Sequence, residues 1–284
     1  MSMISSLLEP IAGDNPAGAN LRYDPIYDRI KQARTEDADV PQGDWQIERK
    51  TADYPLVIKL TSEALATRSK DLQLAAWLTE ALLRRRGLAG LTEGLELLRA
   101  LLDGFWDHLY PELEDDDAEF RAVPLEWIAN YLDVAVKSVP LDAGGHNFFQ
   151  YKESRRVPPE EETEFDDDKK AARNNALSEG KLTPEEFDAA FGETPKAWYK
   201  ELVSDLDAAL TALAALDEIG SEKFGGEAPN YMVLRQALEE VSQVAGQLLK
   251  RKLEIDPDPP EEVTETAPGQ GEPDKAPSAA DANP

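Results

Sequence analysis

The chain has 284 residues, 41% of them hydrophobic, and a formal net charge of −27 from 57 acidic and 30 basic side chains. This length predicts about two domains, and the charge argues against binding to nucleic acid or anionic membranes, whose phosphate groups would be repelled. Because the chain contains no cysteine, disulfides, thiolate metal sites and cysteine nucleophiles are excluded.

The N-terminal segment predicts several turns followed by a short helix. Pro10, Gly13-Asp14-Asn15-Pro16 and Gly18 interrupt regular structure, and Asp24-Pro25 is a typical helix start ahead of the apolar Ile30. The segment lacks the basic region and apolar run of a signal peptide, and no run reaches about 18 apolar residues. We therefore expect a soluble, cytoplasmic protein without direct membrane insertion.

Further helices follow a polar loop at residues 35–43. Pro55 begins the next helix, and residues 69–111 then predict two apolar helices joined by the tight connection Gly87-Leu88-Ala89-Gly90. Gly87 favours the left-handed conformation that ends a helix. The second of these helices presents one apolar face with alternating spacings of four and three residues: Leu91, Leu95, Leu98, Leu102 and Phe105.

An acidic loop, Glu112 to Glu119, precedes another helix. Pro124 is expected to open this helix, and its apolar face is formed by Leu125, Ile128, Leu132 and Ala135. Five or six helices are thus predicted by Val139, without the two-residue alternation of a strand. We expect residues 1–142 to form an all-α domain.

Residues 143–167 predict an extended, solvated linker, because the helical periodicity fails and Gly144-Gly145 and Pro158-Pro159 interrupt the chain. Three large rings, Phe148, Phe149 and Tyr151, lie within it, and such rings seldom stay exposed without reason. They are expected either to pin the linker onto the first domain or to provide a docking contact for a partner.

Residues 168–253 predict a second helical domain. Thr183-Pro184-Glu185-Glu186 has the form of a capping box, and Thr194-Pro195 repeats the Thr-Pro start. Two long helices follow with matching apolar seams, so we expect an antiparallel hairpin. The seams are expected to form intrachain core or to pair between subunits, and they include Leu202, Leu206, Leu213, Leu234, Leu238 and Val241.

Residues 254–284 hold seven prolines and nine acidic side chains, with Lys275 the single basic one. Such a segment cannot bury enough apolar surface to offset its ordering entropy. We expect a disordered acidic tail or linker.

Catalytic and metal-binding patterns are weak throughout. His108, between Trp106 and Tyr110, is expected to pack among aromatic rings, and His146 has neither a nearby nucleophile nor a second histidine at metal-ligand spacing. A calcium loop aligned on Gly180 would place Leu177 at a coordinating position, where it cannot bind the ion. We therefore expect no catalytic residue, cofactor, metal or small-molecule substrate.

Several short segments, taken in order, resemble the N-terminal domain shared by the TssA (ImpA-related) proteins of bacterial type VI secretion systems. These segments include Asp44-Trp45, Ser69-Lys70-Asp71-Leu72 and Arg121 with Pro124-Leu125-Glu126-Trp127. The positions that carry the resemblance are Gly13, Asp14, Pro16, Gly18, Leu21, Tyr23, Pro25, Trp45, Ser69, Asp71, Leu72, Trp77, Gly87, Trp106, Pro111, Pro124 and Trp127. The second half resembles the middle helical domain of the family more loosely, through Thr194-Pro195 and Trp198-Tyr199.

The resemblance implies a non-enzymatic assembly component that acts through protein–protein contacts in baseplate priming and in tail tube and sheath assembly. Its implied partners are baseplate, tube, sheath and membrane-complex proteins, and it implies a homo-oligomer for the full-length protein. Two alternatives stay open. One is a generic helical adaptor unrelated to secretion, and the other is a carboxylate-dependent hydrolase, which would need a cleft with two carboxyls of raised pKa.

Overall fold

The computed structural model describes residues 3–36, 50–113 and 117–258. Within these ranges the secondary structure is helical, with no strand, so the predicted all-α class is confirmed. None of the described helices combines the length and apolar character needed to cross a membrane. The α-helices are α1 (Met3–Leu7), α2 (Pro25–Arg34), α3 (Tyr54–Thr67), α4 (Leu72–Phe105), α5 (Glu119–Tyr131), α6 (Asp133–Lys137), α7 (Phe148–Ser154), α8 (Asp167–Ser178), α9 (Pro184–Glu193), α10 (Lys196–Phe224) and α11 (Met232–Ile255).

Local capping explains where the early helices begin. The Asp24 carboxylate accepts a hydrogen bond from the Ile26 amide, and the Asp53 carboxylate does the same for Leu56. In each helix a proline occupies the first turn, where its missing N–H costs nothing. Both predicted helix starts are confirmed.

Helix α4 consists of two helical segments that meet at Gly87, which has φ 64° and ψ −146°. The predicted helical hairpin is therefore confirmed. Its two arms approach closely where side chains are smallest. A Cβ at Gly90 would lie 2.3 Å from the Leu82 carbonyl oxygen, and one at Gly94 would lie 2.5 Å from the Thr79 side chain.

The start of α5 differs from the prediction. The helix begins at Glu119, and Pro124 lies inside it rather than at its first turn. The Asp117 carboxylate accepts a hydrogen bond from the Glu119 amide at 2.7 Å. Amides in the first turn of a helix have no partner within the helix, and this bond satisfies one of them. The prediction took Pro124 as the first turn of the helix, and it therefore placed the start of α5 several residues after Glu119.

The prediction of an extended linker at residues 143–167 is wrong. The segment contains α7 and a short 3-10 helix at Glu160–Thr163. Asn147 and Gln150 form a capping box at the start of α7, a variant of the Ser/Thr and Glu/Gln pattern. Phe148 is buried, and Tyr151 packs against Phe187 with ring centroids 4.9 Å apart, whereas Phe149 is 45% exposed.

Helices α10 and α11 form the predicted hairpin, and α10 also packs along α4. The Thr183 capping box is confirmed. Thr194, however, does not cap α10: its hydroxyl donates to the Ala190 carbonyl and accepts the Ala143 amide, which links α9 to the chain after α6. Buried apolar side chains from α2 through α11 form one continuous core.

Several sequence predictions lie wholly or partly outside the described residues. These are the position of Trp45, the polar loop at residues 35–43 beyond residue 36, residues 114–116 of the acidic loop, and the tail at residues 254–284 beyond residue 258. Residues 254 and 255 end α11. The domain boundaries at residues 142/143 and 167/168 stay a prediction.

Candidate functional site

The N-terminal segment is held against the turn between α3 and α4 by backbone hydrogen bonds. The Ala19 amide donates to the Arg68 carbonyl at 2.9 Å, and the Lys70 amide donates to the Ala17 carbonyl at 2.8 Å. Gly18 lies between them with φ +75°, and a Cβ there would be 2.2 Å from the Arg68 oxygen. This position therefore requires glycine for both conformation and space.

Lys70 is a fully buried cation that binds two carbonyl oxygens. Its Nζ donates to Leu7 and Leu65, each at 2.7 Å, and so joins α1 to the end of α3. Burial lowers the pKa of Lys70 to about 8. Its neighbour Ser69 is also buried, and its hydroxyl has no hydrogen-bond partner.

Asp71 caps the start of α4 and connects it to α2. Its carboxylate accepts the amides of Gln73 at 2.7 Å and Leu74 at 3.2 Å, together with the Tyr27 hydroxyl. Burial raises the pKa of Asp71 to about 6, although all three donors favour the ionised form. Burial beside this carboxylate also raises the pKa of Tyr27.

Tyr110 links three separate segments. Its amide donates to the Lys70 carbonyl and its carbonyl accepts the Leu72 amide. Its hydroxyl donates to the Gly18 carbonyl and accepts the Asn15 side-chain amide, both at 3.1 Å. The peptide bond that follows, Tyr110-Pro111, is cis.

Arg121 is buried and uses its guanidinium to fix the chain between α4 and α5. It donates to the carbonyls of Trp106 at 2.6 Å, Leu109 at 2.5 Å and Pro111 at 2.8 Å. The guanidinium carbon lies 4.7 Å from the Trp106 ring centroid. Burial lowers the pKa of Arg121 to about 10.

Tyr27, Asp71 and Tyr110 line a cavity of about 250 Å³ at the surface. Asp71 and Tyr27 lie at one side of it, and the half-exposed Phe120 and Val123 of α5 lie at the other. An adjoining hollow of about 440 Å³ includes Tyr23, which is 92% exposed. The arrangement is suited to receive a protruding side chain of a partner.

The predicted positions fall into four groups. Exposed ones are Gly13, Asp14, Tyr23 and Pro25; partly buried ones are Pro16, Gly18, Gly87, Trp106, Pro111 and Trp127; buried ones are Leu21, Ser69, Asp71, Leu72, Trp77 and Pro124; Trp45 lies outside the described residues. The structure brings most of the first three groups to the end of α4 near Asp71, whereas Gly87 lies at the opposite end of that helical arm.

The six seam residues lie elsewhere. Leu202, Leu206, Leu213, Leu234, Leu238 and Val241 are all buried in the core of the chain itself. This agrees with the intrachain alternative. Pairing between subunits would require these side chains to leave that core, and it stays an untested prediction.

Sequence reasoning assigned no structural role to Tyr27, Lys70, Tyr110 or Arg121. Their partners lie 10 to 95 residues away along the chain, apart from the Leu65 carbonyl that Lys70 binds, so helical periodicity carries no signal for them. The only hint was indirect: Lys70, Tyr110 and Arg121 lie within or beside the segments that carry the family resemblance.

The two histidines lie in different surroundings from those predicted. His108 is exposed and belongs to no ring pair among the described residues, so the predicted aromatic packing is wrong. His146 instead pairs its Nδ1 with the buried Asp142 at 2.9 Å. The described residues contain no group of three His, Asp or Glu side chains placed to hold a metal.

Residues 8–130 match the family described as ImpA, N-terminal, type VI secretion system. A Pseudomonas aeruginosa protein named type VI secretion system component TssA1 is 29% identical over 242 residues, which covers 82% of this chain and 66% of that relative. The chain thus spans less than two thirds of the relative's length.

A solved structure is also similar. It is the N-terminal domain, including the conserved ImpA_N region, of the TssA component of the type VI secretion system from Burkholderia cenocepacia. It superposes with a TM-score of 0.76 at 31% sequence identity, and the match covers 89% of this chain and 96% of that one.

Proposed function

We propose that this chain, which belongs to the ImpA N-terminal (TssA) family of type VI secretion system components, is a non-enzymatic assembly component. It acts through protein–protein contacts in baseplate priming and in assembly of the tail tube and sheath. Its partners are baseplate, tube, sheath and membrane-complex proteins, and it works in the cytoplasm. The observation that carries the proposal is the match over nearly the whole length of the related TssA N-terminal domain.

The use of the buried polar side chains supports a structural role. Lys70 and Arg121 donate to backbone carbonyls of the chain, and Asp71 accepts two backbone amides and the Tyr27 hydroxyl. Groups used in this way hold a scaffold in one conformation. The same region exposes aromatic and apolar side chains beside a cavity, as contact surfaces for other proteins do.

The hydrolase alternative needs two carboxyls of raised pKa in one cleft. Asp71 and Asp205 are the described carboxyls whose pKa is raised, and they line different cavities. Asp71 is also engaged by three hydrogen-bond donors. The arrangement therefore favours the assembly role.

Deletion of the gene in a bacterium that produces this chain tests the proposal. With a fluorescent sheath subunit, we expect the fraction of cells that assemble sheaths to fall at least tenfold, and plasmid-borne expression to restore it. Affinity purification of the tagged protein is expected to recover baseplate or sheath proteins. Unchanged sheath assembly together with absence of these proteins contradicts the proposal and favours a generic adaptor.

We propose in addition that the full-length protein forms a homo-oligomer. Light scattering on the purified protein measures this directly, since a single copy of this chain has a mass of 31.4 kDa. A strictly monomeric mass over the working concentration range contradicts this part of the proposal.

A further inference from the structure

Helix α5 is apolar on two opposite sides. Its inner side contributes buried residues such as Leu125 and Ile128 to the core. Its outer side carries four further apolar or aromatic residues, which we call the α5 stripe: Phe120, Val123, Trp127 and Tyr131. At about 100° per residue, these four side chains fall within an arc of about 80°. Three of the four side chains are largely open within the described residues, since Phe120 is 47%, Val123 48% and Tyr131 67% exposed, whereas Trp127 is partly buried beside Arg34 of α2.

The aromatic half of the stripe, Trp127 and Tyr131, is held in place by contacts between its rings and with Arg34. The rings of Trp127 and Tyr131 stack with centroids 6.1 Å apart and an interplanar angle of 17°. The Arg34 guanidinium lies 4.9 Å from the Trp127 ring and 5.3 Å from the Trp77 ring, and its Nε donates to Glu80 at 2.6 Å. A surface that is already ordered loses little conformational entropy when a partner binds.

The other half of the stripe borders a recess. Phe120 and Val123 form part of the wall of the 250 Å³ cavity, together with Leu113. Arg22 and Glu112 also line this cavity, and because their charges are opposite, the two together add no net charge to its wall. The stripe therefore offers a flat aromatic platform at one end and a pocket for a side chain at the other, the arrangement of an interface hot spot.

A row of acidic residues runs along one edge of the stripe. Glu119 and Glu126 of α5 are seven residues apart and lie about 100° from the centre of the stripe, and Asp133 follows after seven more residues at the start of α6. We call this row the acidic edge. Among the described ion pairs, none involves any of the three carboxylates. An apolar stripe with flanking charges at heptad spacing is what one helix presents to another in a paired-helix interface.

The negative charge of the acidic edge indicates which kind of partner this surface binds. A second copy of this chain would bring the same acidic edge and a net charge of −27, and anionic lipid or nucleic acid would be repelled in the same way. We propose that the α5 stripe and the acidic edge bind a basic amphipathic helix of another protein. This inference rests on the proposed function in one respect only, namely that the partner is another secretion component.

Photo-crosslinking in the producing bacterium tests the inference on the full protein. Tyr131 is replaced by the photoreactive p-benzoylphenylalanine, and the adduct is identified by mass spectrometry. We expect a crosslink to a Lys/Arg-rich amphipathic helix of a secretion component. The same replacement at Val233, an apolar residue of α11 that is 43% exposed, serves as the matched control and is expected to give no such adduct.

Charge reversal supplies an independent readout. The triple variant Glu119→Lys, Glu126→Lys, Asp133→Lys is expected to lower the yield of the Tyr131-position adduct at least tenfold. A control variant, Asp207→Lys, Glu218→Lys, Glu239→Lys, makes the same change in net charge at three exposed and unpaired acids of α10 and α11, and should change the yield less than threefold. Circular dichroism of both purified variants establishes that they are folded.

Several outcomes overturn the inference. These are no adduct at position 131, an adduct to a second copy, an adduct to residues 37–49 of the same chain, or equal losses in the two charge variants. The proposed function is judged separately by sheath assembly in the deletion strain. If wild-type complementation restores sheaths and the acidic-edge variant restores them equally well, the assembly role stands and this surface is not its binding site.

Discussion

At the scale of single residues, the fold depends on a few buried polar side chains that hold backbone carbonyls and amides. Arg121 illustrates why residue type matters at such a position. Its planar guanidinium reaches three carbonyls that lie in different directions, and it stacks on Trp106 as well. A lysine has a single ammonium group and cannot reproduce this fork.

We therefore predict that Arg121→Lys lowers the free energy of unfolding by about 3 kcal/mol, because at least one buried carbonyl loses its donor. Urea denaturation followed by tryptophan fluorescence measures this. Arg99→Lys is the matched control, since Arg99 is exposed and makes only a 3.9 Å ion pair with Asp103. Its effect should stay below about 0.5 kcal/mol. Equal effects of the two substitutions would show that the buried contacts carry no special weight.

Asp71 makes stability depend on pH. Its pKa is raised from 3.8 to about 6 in the folded chain, so the folded state holds the proton more tightly than the unfolded state. The stabilisation that this gives is complete below pH 3.8 and is lost as pH rises through 6. Asp71→Asn cannot ionise, and its amide group can still bond to Tyr27 and the helix start.

Between pH 4 and pH 7, the free energy of unfolding of Asp71→Asn should therefore gain about 3 kcal/mol relative to wild type. Urea midpoints at four pH values in this range measure the difference. A difference that stays constant with pH, or that shifts in favour of wild type, contradicts the prediction.

At the scale of the element, the close approach of the two arms of α4 makes its glycines unequal. Gly90 faces the Leu82 carbonyl, where a methyl group would collide with backbone. Gly104 lies in the same helix with no atom within 4 Å of the position of an added Cβ. Both residues are helical, so each glycine lowers the stability of its helix by a similar amount. The two positions differ only in the atoms that surround them.

We predict that Gly90→Ala lowers the free energy of unfolding by at least about 2 kcal/mol, since the arms must separate. Gly104→Ala should instead raise it by up to about 1 kcal/mol, because alanine is the better helix former. Thermal or urea unfolding of both variants compares the signs. Stabilisation by Gly90→Ala would mean that the hairpin is looser than described.

The elements also show what sequence can and cannot predict. Helix starts at Asp24 and Thr183 and the break at Gly87 were predicted, because caps and glycine conformation are set by residues only a few positions apart. The start of α5 and the helix at residues 148–154 were missed. The local contacts at these starts, between Asp117 and Glu119 and between Asn147 and Gln150, have less typical residue types, and α7 is held in addition by the distant packing of Tyr151 on Phe187.

At the scale of the whole molecule, the packing of α10 along α4 joins the two predicted domains in one core. The Trp106 ring meets Phe224 edge to face at 4.9 Å, and Lys137 pairs with Glu240 at 2.8 Å. The candidate site near Asp71 could not be derived from sequence for a related reason. Its members come from α2, α4, α5 and the N-terminal segment, and only the tertiary structure brings them together.

We predict that a fragment of residues 1–142 is less stable than the same residues in the full chain, because the apolar surface of α4 that α10 covers becomes exposed. Hydrogen exchange measures this, and protection in α4 should fall at least tenfold in the fragment. Unchanged protection would indicate that residues 1–142 form an independently stable domain.

The bonds of Tyr110 to Gly18 and Asn15 also set an order of events during synthesis. A ribosome produces the N-terminal segment first, yet the hydroxyl that holds it is added 92 residues after Gly18. Until then, the segment that carries Leu7 and Leu21 lacks this contact, and their apolar side chains are accessible to chaperones. The start of the chain is therefore held in place only after residue 110 has been made, so a bulky tag fused there is expected to delay this step more than one fused at the other end.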